Sequence, residues 1–381
     1  MLAFQDAIDH VRDFLKADAS EATQRACRRA VLSAYSILAQ VRDWNYYKTQ
    51  YTLTTSAPYS TGTVAVTAST RVVTLSSGTW PTWAAQGTIR IGSANYQVYS
   101  RDSGTQVTLE AANAPASNVA SGTSYTIYQN QYRLPSDCRR IFRPENEGVW
   151  YESQYITPQK WNQLDRLRSY SGNQRWFTIL SDPNNLGGYV LCFWPYPSSA
   201  LTIEFLYQRY AAPLVYTGYE TASNVGTVAS TSGSATITGT STTFASAMAG
   251  AFIRFSSVAP ATPLALGGEA DLNPYTEQKV IATYSSATSI ATDSTMSNTL
   301  SGVGYRVTSP VDIAPHMIEA FLRCCEWQVG IYRQLGDRQI SERDYRSALM
   351  LALEGDALFE MERSAYNAYE PGSASYTVTP P

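Results

Sequence analysis

Tyr132-Arg-Leu-Pro-Ser-Asp137 opens a stretch, running to Tyr216, around which the rest of the chain is arranged. Four of the eight tryptophans fall in it: Trp150, Trp161, Trp176 and Trp194. Apolar and polar residues alternate through Gly188-Tyr-Val-Leu-Cys-Phe-Trp-Pro195 and Ala200-Leu-Thr-Ile-Glu-Phe-Leu-Tyr207. That is the period of two expected of a strand with one buried face. Leu134-Pro-Ser-Asp137 reads as a turn leading into Arg139-Arg-Ile-Phe-Arg143, and Thr157-Pro158 as the cap and first position of a short helix through Trp161 and Leu164. Three strands are expected over Arg175–Leu180, Gly188–Phe193 and Leu201–Tyr207. Asp182-Pro-Asn-Asn185 and Pro195-Tyr-Pro-Ser-Ser199 are the turns between them.

Outward from this centre lie segments rich in Ser and Thr. Gly62-Thr-Val-Ala-Val-Thr67, Arg71-Val-Val-Thr-Leu75, Thr88-Ile-Arg-Ile91, Tyr96-Gln-Val-Tyr99, Gln106-Val-Thr-Leu109 and Tyr125-Thr-Ile-Tyr128 predict six short strands. The same order returns later in the chain. Gly226-Thr-Val228 answers Gly62-Thr-Val64, and Ala235-Thr-Ile-Thr238 answers the second strand. The segment Thr243–Gly250 answers Thr79–Gly87, and Phe252-Ile-Arg-Phe255 answers Thr88-Ile-Arg-Ile91. Ser301–Val307 then answers Ser121–Ile127. The expectation is a duplicated small β-sandwich or barrel, at 60–130 and 224–308, whose second copy carries an extra loop near 257–275.

The two ends of the chain are helical. Phe4, Ile8, Val11 and Leu15 recur at helical spacing over 3–16. A second helix over 21–42, capped by Asp18 or Ser20, places Ala30, Ala34, Leu38 and Val41 on one face. Trp44 reads as a core plug at its end. Pro315 starts a helix to about Leu335, and Ser341-x-x-Asp344 predicts a capping box for a last helix through about Arg363. Two helices alone leave apolar faces uncovered, so the pairs at 1–50 and 310–363 are expected to join as a four-helix bundle. The expected class is therefore α+β: that bundle, a central β-rich region at 131–217, two β insertions, and a flexible tail at 364–381.

Composition narrows the function. Net charge is −3 and charged residues are only 15% of the chain, against about 25% ordinarily. No bulk basic field draws nucleic acid or an anionic membrane, and no run approaches the about 18 apolar residues of a membrane span. Met1-Leu-Ala-Phe-Gln-Asp6 lacks the basic and apolar runs of a secretory leader. Sparse charge in a chain of this size implies either a polar uncharged surface or burial against other subunits. The five scattered cysteines suit no zinc spacing and read as buried reduced thiols.

His10 and His316 are the two histidines, and neither sits in a nucleophile elbow, a zinc-protease motif or a phosphate loop. Both read as surface or cap residues. Glu354, Asp356, Glu360 and Glu362 read as a solvated face of the last helix, although a glycosidase needs only two carboxylates at a suitable separation. Arg25, Arg28 and Arg29 cluster on the second helix, and Arg139, Arg140 and Arg143 follow the Leu-Pro turn. Both clusters are expected to pair with carboxylates across subunits. No catalytic, cofactor-binding or metal-binding residues are expected. The interface candidates are Arg25, Arg28, Arg29, Tyr366, Tyr369 and Tyr376. A sugar platform on Trp80 and Trp83 is the competing possibility, with a core role favoured for Trp80 because Phe244 takes its place in the second copy.

The terminal helices and the centre resemble the head-to-tail adaptor (connector) proteins of tailed, particularly short-tailed, bacteriophages. The likeness lies in Tyr132-Arg-Leu-Pro-Ser-Asp137, Tyr155-Ile-Thr-Pro-Gln-Lys-Trp161, Phe193-Trp-Pro-Tyr-Pro197, Ile203-Glu-Phe-Leu-Tyr207 and Tyr345-Arg-Ser-Ala-Leu349. It covers about half the chain, and the two β modules depart from the smallest adaptors. The resemblance implies a homo-oligomeric ring, a dodecamer, assembled in the host cytoplasm and carried in the virion neck. Such a ring docks beneath the portal protein, continues the channel through which genomic DNA passes without sequence-specific binding, and offers a platform to tail or nozzle proteins. It implies no enzyme and no membrane. The alternative is a tail-associated protein whose modules grip a host glycan.

Overall fold

The computed structural model describes residues 2–16, 20–142, 154–167, 171–172, 176–182, 185, 187–256, 275–334, 336 and 338–367. It is a mixed α+β structure with five helices among the described residues: α1 (Phe4–Leu15), α2 (Glu21–Gln40), α3 (Pro158–Leu167), α4 (Ile318–Arg333) and α5 (Arg338–Asn367). The chain divides into two compact units, one of Met1–Tyr46 with Ala211–Pro381 and one of Tyr47–Tyr210.

In the second unit, Lys48–Thr54 pairs antiparallel with Thr202–Arg209 along its whole length, and Cys138–Ile141 takes that strand's other edge. A four-stranded sheet is built from Gln154–Tyr155, Trp176–Ser181, Tyr189–Trp194 and Gln131–Arg133, in that order. The three strands expected from the central stretch thus divide between two sheets. Tyr132-Arg-Leu-Pro-Ser-Asp137 is the link. Its first residues lie in the four-stranded sheet, while Pro135 O accepts from Cys138 N (2.9 Å), where the other sheet begins. Leu53, Tyr132, Phe177, Leu191, Phe193 and Phe205 share the resulting core. The Lys160 amide bonds Thr157 Oγ1 (3.4 Å) at the start of α3, and Trp161 packs beneath against Val190 and Cys192.

The duplication has a structural counterpart. Val64–Thr67, Val72–Leu75, Gly87–Ile91, Ala94–Arg101, Gln106–Leu109, Val119–Thr123 and Tyr125–Gln129 form one seven-stranded sheet. Numbered along the chain, they lie in the order sixth, first, second, fifth, fourth, third, seventh. Thr227–Ser230, Thr236–Thr240, Phe252–Ser256, Tyr275–Ser286, Ser289–Thr292, Leu300–Val303 and Tyr305–Thr308 lie in the same order.

Of the two forms expected, sandwich or barrel, each copy is nearer the second: one curled sheet, a half-barrel. The long fourth strand pairs with the third through its first half and with the fifth through its second, across a register shift at Val98/Ser100 or Ile281/Thr283. One residue, Ser124 or Gly304, separates the sixth strand from the seventh, so the two ends of the sheet's order must approach each other there. The extra loop expected near 257–275 falls at 257–274, outside the described residues.

Several pairs of interior residues recur in the two copies. Trp80 stacks edge-on against Tyr125 (5.1 Å between ring centroids), and Phe244 meets Tyr305 (5.3 Å). The Tyr125 hydroxyl donates to Thr61 O and the Tyr305 hydroxyl to Val225 O, each at 2.8 Å. The next residue is in both cases a glycine at positive φ, Gly62 (+80°) and Gly226 (+84°). A Cβ there would come within 2.4 Å of a carbonyl oxygen. These two glycines therefore answer a steric need that the hydrogen bond holds in place.

In the first unit α4 packs against α1, α2 and α5, and α1 also packs on α2. The Ser20 hydroxyl accepts from the Thr23 amide, as a helix cap should (3.4 Å). Trp44 is fully buried and its indole N–H donates to Leu38 O (2.8 Å). Other details at the helix ends differ from expectation. α2 stops at Gln40 and leaves Val41 exposed. α5 begins at Arg338, so Ser341 and Asp344 lie inside it and form no capping box. It also continues to Asn367, past the expected end at Arg363, so Tyr366 is helical and the tail begins later than expected.

Candidate interaction faces of the helical unit

Arg25, Arg28 and Arg29 lie on the exposed side of α2, in line with the exposed Leu32, while Cys27, Ala30, Val31 and Ala34 face inward. Burial takes the small residues because α4 lies close against them: Ser33 Oγ donates to Gln328 Oε1 (2.9 Å) and Tyr35 meets Phe321 edge-on. The Arg29 guanidinium sits 4.7 Å over the Tyr332 ring, a cation–π contact inside the subunit. Arg25 and Arg28 border a cleft of about 170 Å³ whose other walls include Ile8, Thr217, Tyr219 and Glu220. The Glu220 carboxylate accepts from the amides of Thr217 and Gly218. Burial opposes its ionisation, but these bonds and those to the Thr217 and Ser223 side chains prevail, and its pKa falls below the ordinary value.

Behind the cleft, α1 docks on the outer face of the second β module. Arg254 holds Asp6 with both terminal nitrogens (2.5 and 2.7 Å) and reaches Gln278 through Nε (2.7 Å). Asp6 also caps the Ala3 amide (3.2 Å). The Tyr219 hydroxyl donates to Asp9, which pairs with Arg12 (2.9 Å). Burial raises the Asp9 pKa, with the Tyr219 bond and Arg12 opposing. Arg306 lies 4.7 Å over the Tyr219 ring, and its Nε and Nη1 have no hydrogen-bond partner. In the first copy, Arg90 takes the place of Arg254 and donates from Nε to Gly92 O (3.2 Å), while Thr126 takes the place of Arg306.

α5 is amphipathic in an unusual sense. Its inward positions carry Tyr345, Ala348, Ala352 and Asp356, and Tyr345 stacks on Trp327 of α4. Its outward positions carry Ile340, Met350, Leu351 and Leu358, exposed by 51%, 60%, 67% and 62%. The expectation of a solvated acidic face holds for Glu354 but not for Asp356, which is 1% exposed. Asp356 accepts from the Asn45 amide (3.1 Å), faces Arg42 Nε (3.5 Å) and lies 3.9 Å from His316 Nε2. A carboxylate so engaged is held inside by its partners. His10 likewise meets a buried carboxylate, Glu326 (2.9 Å). Among the described residues no three His, Cys, Asp or Glu side chains converge as a metal site. All five cysteines are buried free thiols, and burial pushes Cys138 to about 11 and Cys324 to about 12.

The structure brings Arg25 and Arg28 to one cleft and turns Arg29 onto Tyr332. The side chains of Tyr366, Glu360 and Glu362, and all of Tyr369 and Tyr376, lie outside the described residues, as does Arg143. Arg140 lies 5.2 Å over Phe142. Trp80 is buried in the first module's core and Trp83 packs against that core. What sequence reasoning missed is the outward side of α5. Ala348-Leu-Met-Leu-Ala-Leu353 signals it, because six consecutive apolar residues of a helix cannot all face one neighbour. In the second unit a wider groove of about 500 Å³ is lined by Gln97, Glu110, Asn113, Gln131, Trp161 and Asn162, among others.

Comparison of the chain with protein-family models, with curated proteins and with solved structures finds no match.

Proposed function

We propose that this chain is a structural virion protein, a head-to-tail adaptor of a tailed phage that forms a ring beneath the portal. In this reading the ring continues the DNA channel, gives the tail its platform and performs no catalysis. Its copies number twelve, as the resemblance of the central and terminal motifs implies. The observation that carries the reading is that helices from both ends of the chain pack in one unit, α1 and α2 with α4. We read these, with α5, as a four-helix bundle. The exposed apolar row on α5 supports a subunit that is completed by its neighbours. The sparse charge of the chain supports the same view.

Mass photometry of the purified chain, alone and with the portal protein of the same phage, tests this. A complex of the portal with a ring's worth of copies is the expected result. A chain that never joins the portal contradicts it.

A second reading rests on the amide-lined groove. Gln97, Asn113, Gln131 and Asn162 offer donors and acceptors suited to sugar hydroxyls, with Glu110 and Trp161 beside them. A tail-associated host-glycan binder would retain a host-surface sugar on a glycan array through that groove. Absence of binding to every such sugar removes this reading.

A further inference from the structure

We infer that the outward face of α5 is covered by the arginine-bearing face of α2 from a second copy of this chain. The inference rests on the reading of the chain as a ring subunit and names the contact that would build the ring.

Four large apolar side chains on one helix face, each more than half exposed, are costly to leave in water. Inside the subunit the same helix packs with Tyr345, Ala348 and Ala352, while these four large aliphatic side chains stay outside. Charge points the same way. Apart from the buried Asp356, residues 350–362 carry Glu354, Glu360 and Glu362 and no basic residue. α2 carries Arg25, Arg28 and Arg29 against one acidic residue, Glu21. An acidic, apolar helix half therefore has a basic counterpart within the same chain, with Leu32 exposed in line with the arginines.

The cleft beside Arg25 and Arg28, about 170 Å³, is comparable to an engineered cavity of about 150 Å³ that admits benzene. It can accept one leucine side chain, flanked by arginines that would meet a neighbouring carboxylate such as Glu354. Finally, α4 packs on α2 and on α5 with different residues, Phe321 and Gln328 toward α2 and Trp327 toward α5. The two complementary faces thus belong to different helices of one subunit, and matching them between copies gives a heterologous contact, the kind that propagates into a ring.

The test uses the full chain in two forms, Leu351→Glu/Leu358→Glu and Arg25→Glu/Arg28→Glu, with circular dichroism to confirm that each still folds. Sedimentation velocity of the wild type is expected to show assembly. Each variant alone is expected to associate about 30-fold or more weakly, the scale of one interface hot spot. Mixed, the two variants should give a one-to-one pair and nothing larger, because each keeps one of the two faces intact. A wild type that stays monomeric, variants that assemble like the wild type, or variants that fail to pair when mixed would each overturn the inference. Portal binding by a chain that does not assemble through these faces would keep the adaptor reading while removing this interface. Assembly through these faces by a chain that ignores the portal would do the reverse.

Discussion

Arg254 and Arg306 stand directly opposite each other on neighbouring antiparallel strands, both nearly buried, yet among the described residues only Arg254 holds a carboxylate. Like charges in register repel, so this pair is tolerable only if something on the same face offsets it. Asp6 does so from α1, beside the Gln5 bonds that also tie this helix to the β module.

Removal of Asp6 should therefore be costly. Asp6→Ala leaves Arg254 buried beside Arg306 and uncaps the Ala3 amide. A loss of about 2 kcal/mol is expected in urea unfolding, at the lower end for breaking an ion pair because Asp6 itself is partly exposed. A change within about 0.5 kcal/mol, the range of ordinary surface substitutions, would show that the tie contributes little.

Arg306 should behave in the opposite way. Its Nε and Nη1 have no hydrogen-bond partner, and burial lowers its pKa. Arg306→Met keeps the packing over Tyr219 and removes the repulsion. Stability should stay level or rise by about 1 kcal/mol. A loss above about 2 kcal/mol would mean that the charge is stabilised by groups other than those described above.

The repeated tyrosine bond allows a matched comparison. Tyr125→Phe and Tyr305→Phe each remove one hydroxyl from a backbone carbonyl and should each cost about 1 kcal/mol in chemical denaturation. A neutral result at one site and a clear loss at the other would show that the two copies do not depend on the same bond.

A pH dependence follows from Glu326. Burial opposes its ionisation, but bonds from His10 and Arg323 prevail and bring its pKa below the ordinary 4.5. The folded state thus releases this proton more readily than the unfolded chain does. The stabilisation is complete above 4.5 and is lost as pH falls through the folded value. Glu326→Gln should lower the urea midpoint near neutrality, and its curve should converge on the wild type's as the pH is taken toward about 3. Asp9, raised by burial, acts with the opposite sign: its contribution is present below its ordinary value and lost as pH rises. Comparing wild type with Glu326→Gln leaves Asp9 in both proteins. Parallel curves would contradict the assignment.

The sequence shows some of this architecture directly and conceals the rest for identifiable reasons. The β duplication is legible because buried positions repeat: Trp80 with Phe244, Tyr125 with Tyr305, and glycine at 62 and 226. Val119–Thr123 is missed because an edge strand with little buried surface has no need of apolar alternation. The choice between sandwich and barrel stays open in the sequence because the curl depends on a bend within Ala94–Arg101, which period alone does not reveal. Arg25 and Arg28 are visible as a cluster, but their shared cleft requires Thr217–Glu220, which lies far along the chain. Asp356 reads as surface because its burial depends on Asn45 and Arg42, about three hundred residues away. The outward face of α5 escapes a search for one buried stripe, since this helix has two apolar sides.

A ring of this chain between portal and tail, as proposed above, is open to test by cryo-electron microscopy of the virion neck. Rotationally symmetric density beneath the portal that accepts repeated copies of the helical unit, with α5 of one copy against α2 of the next, is the expected result. Neck density fully occupied by other proteins, with this chain found elsewhere in the particle or absent from it, would contradict the proposal.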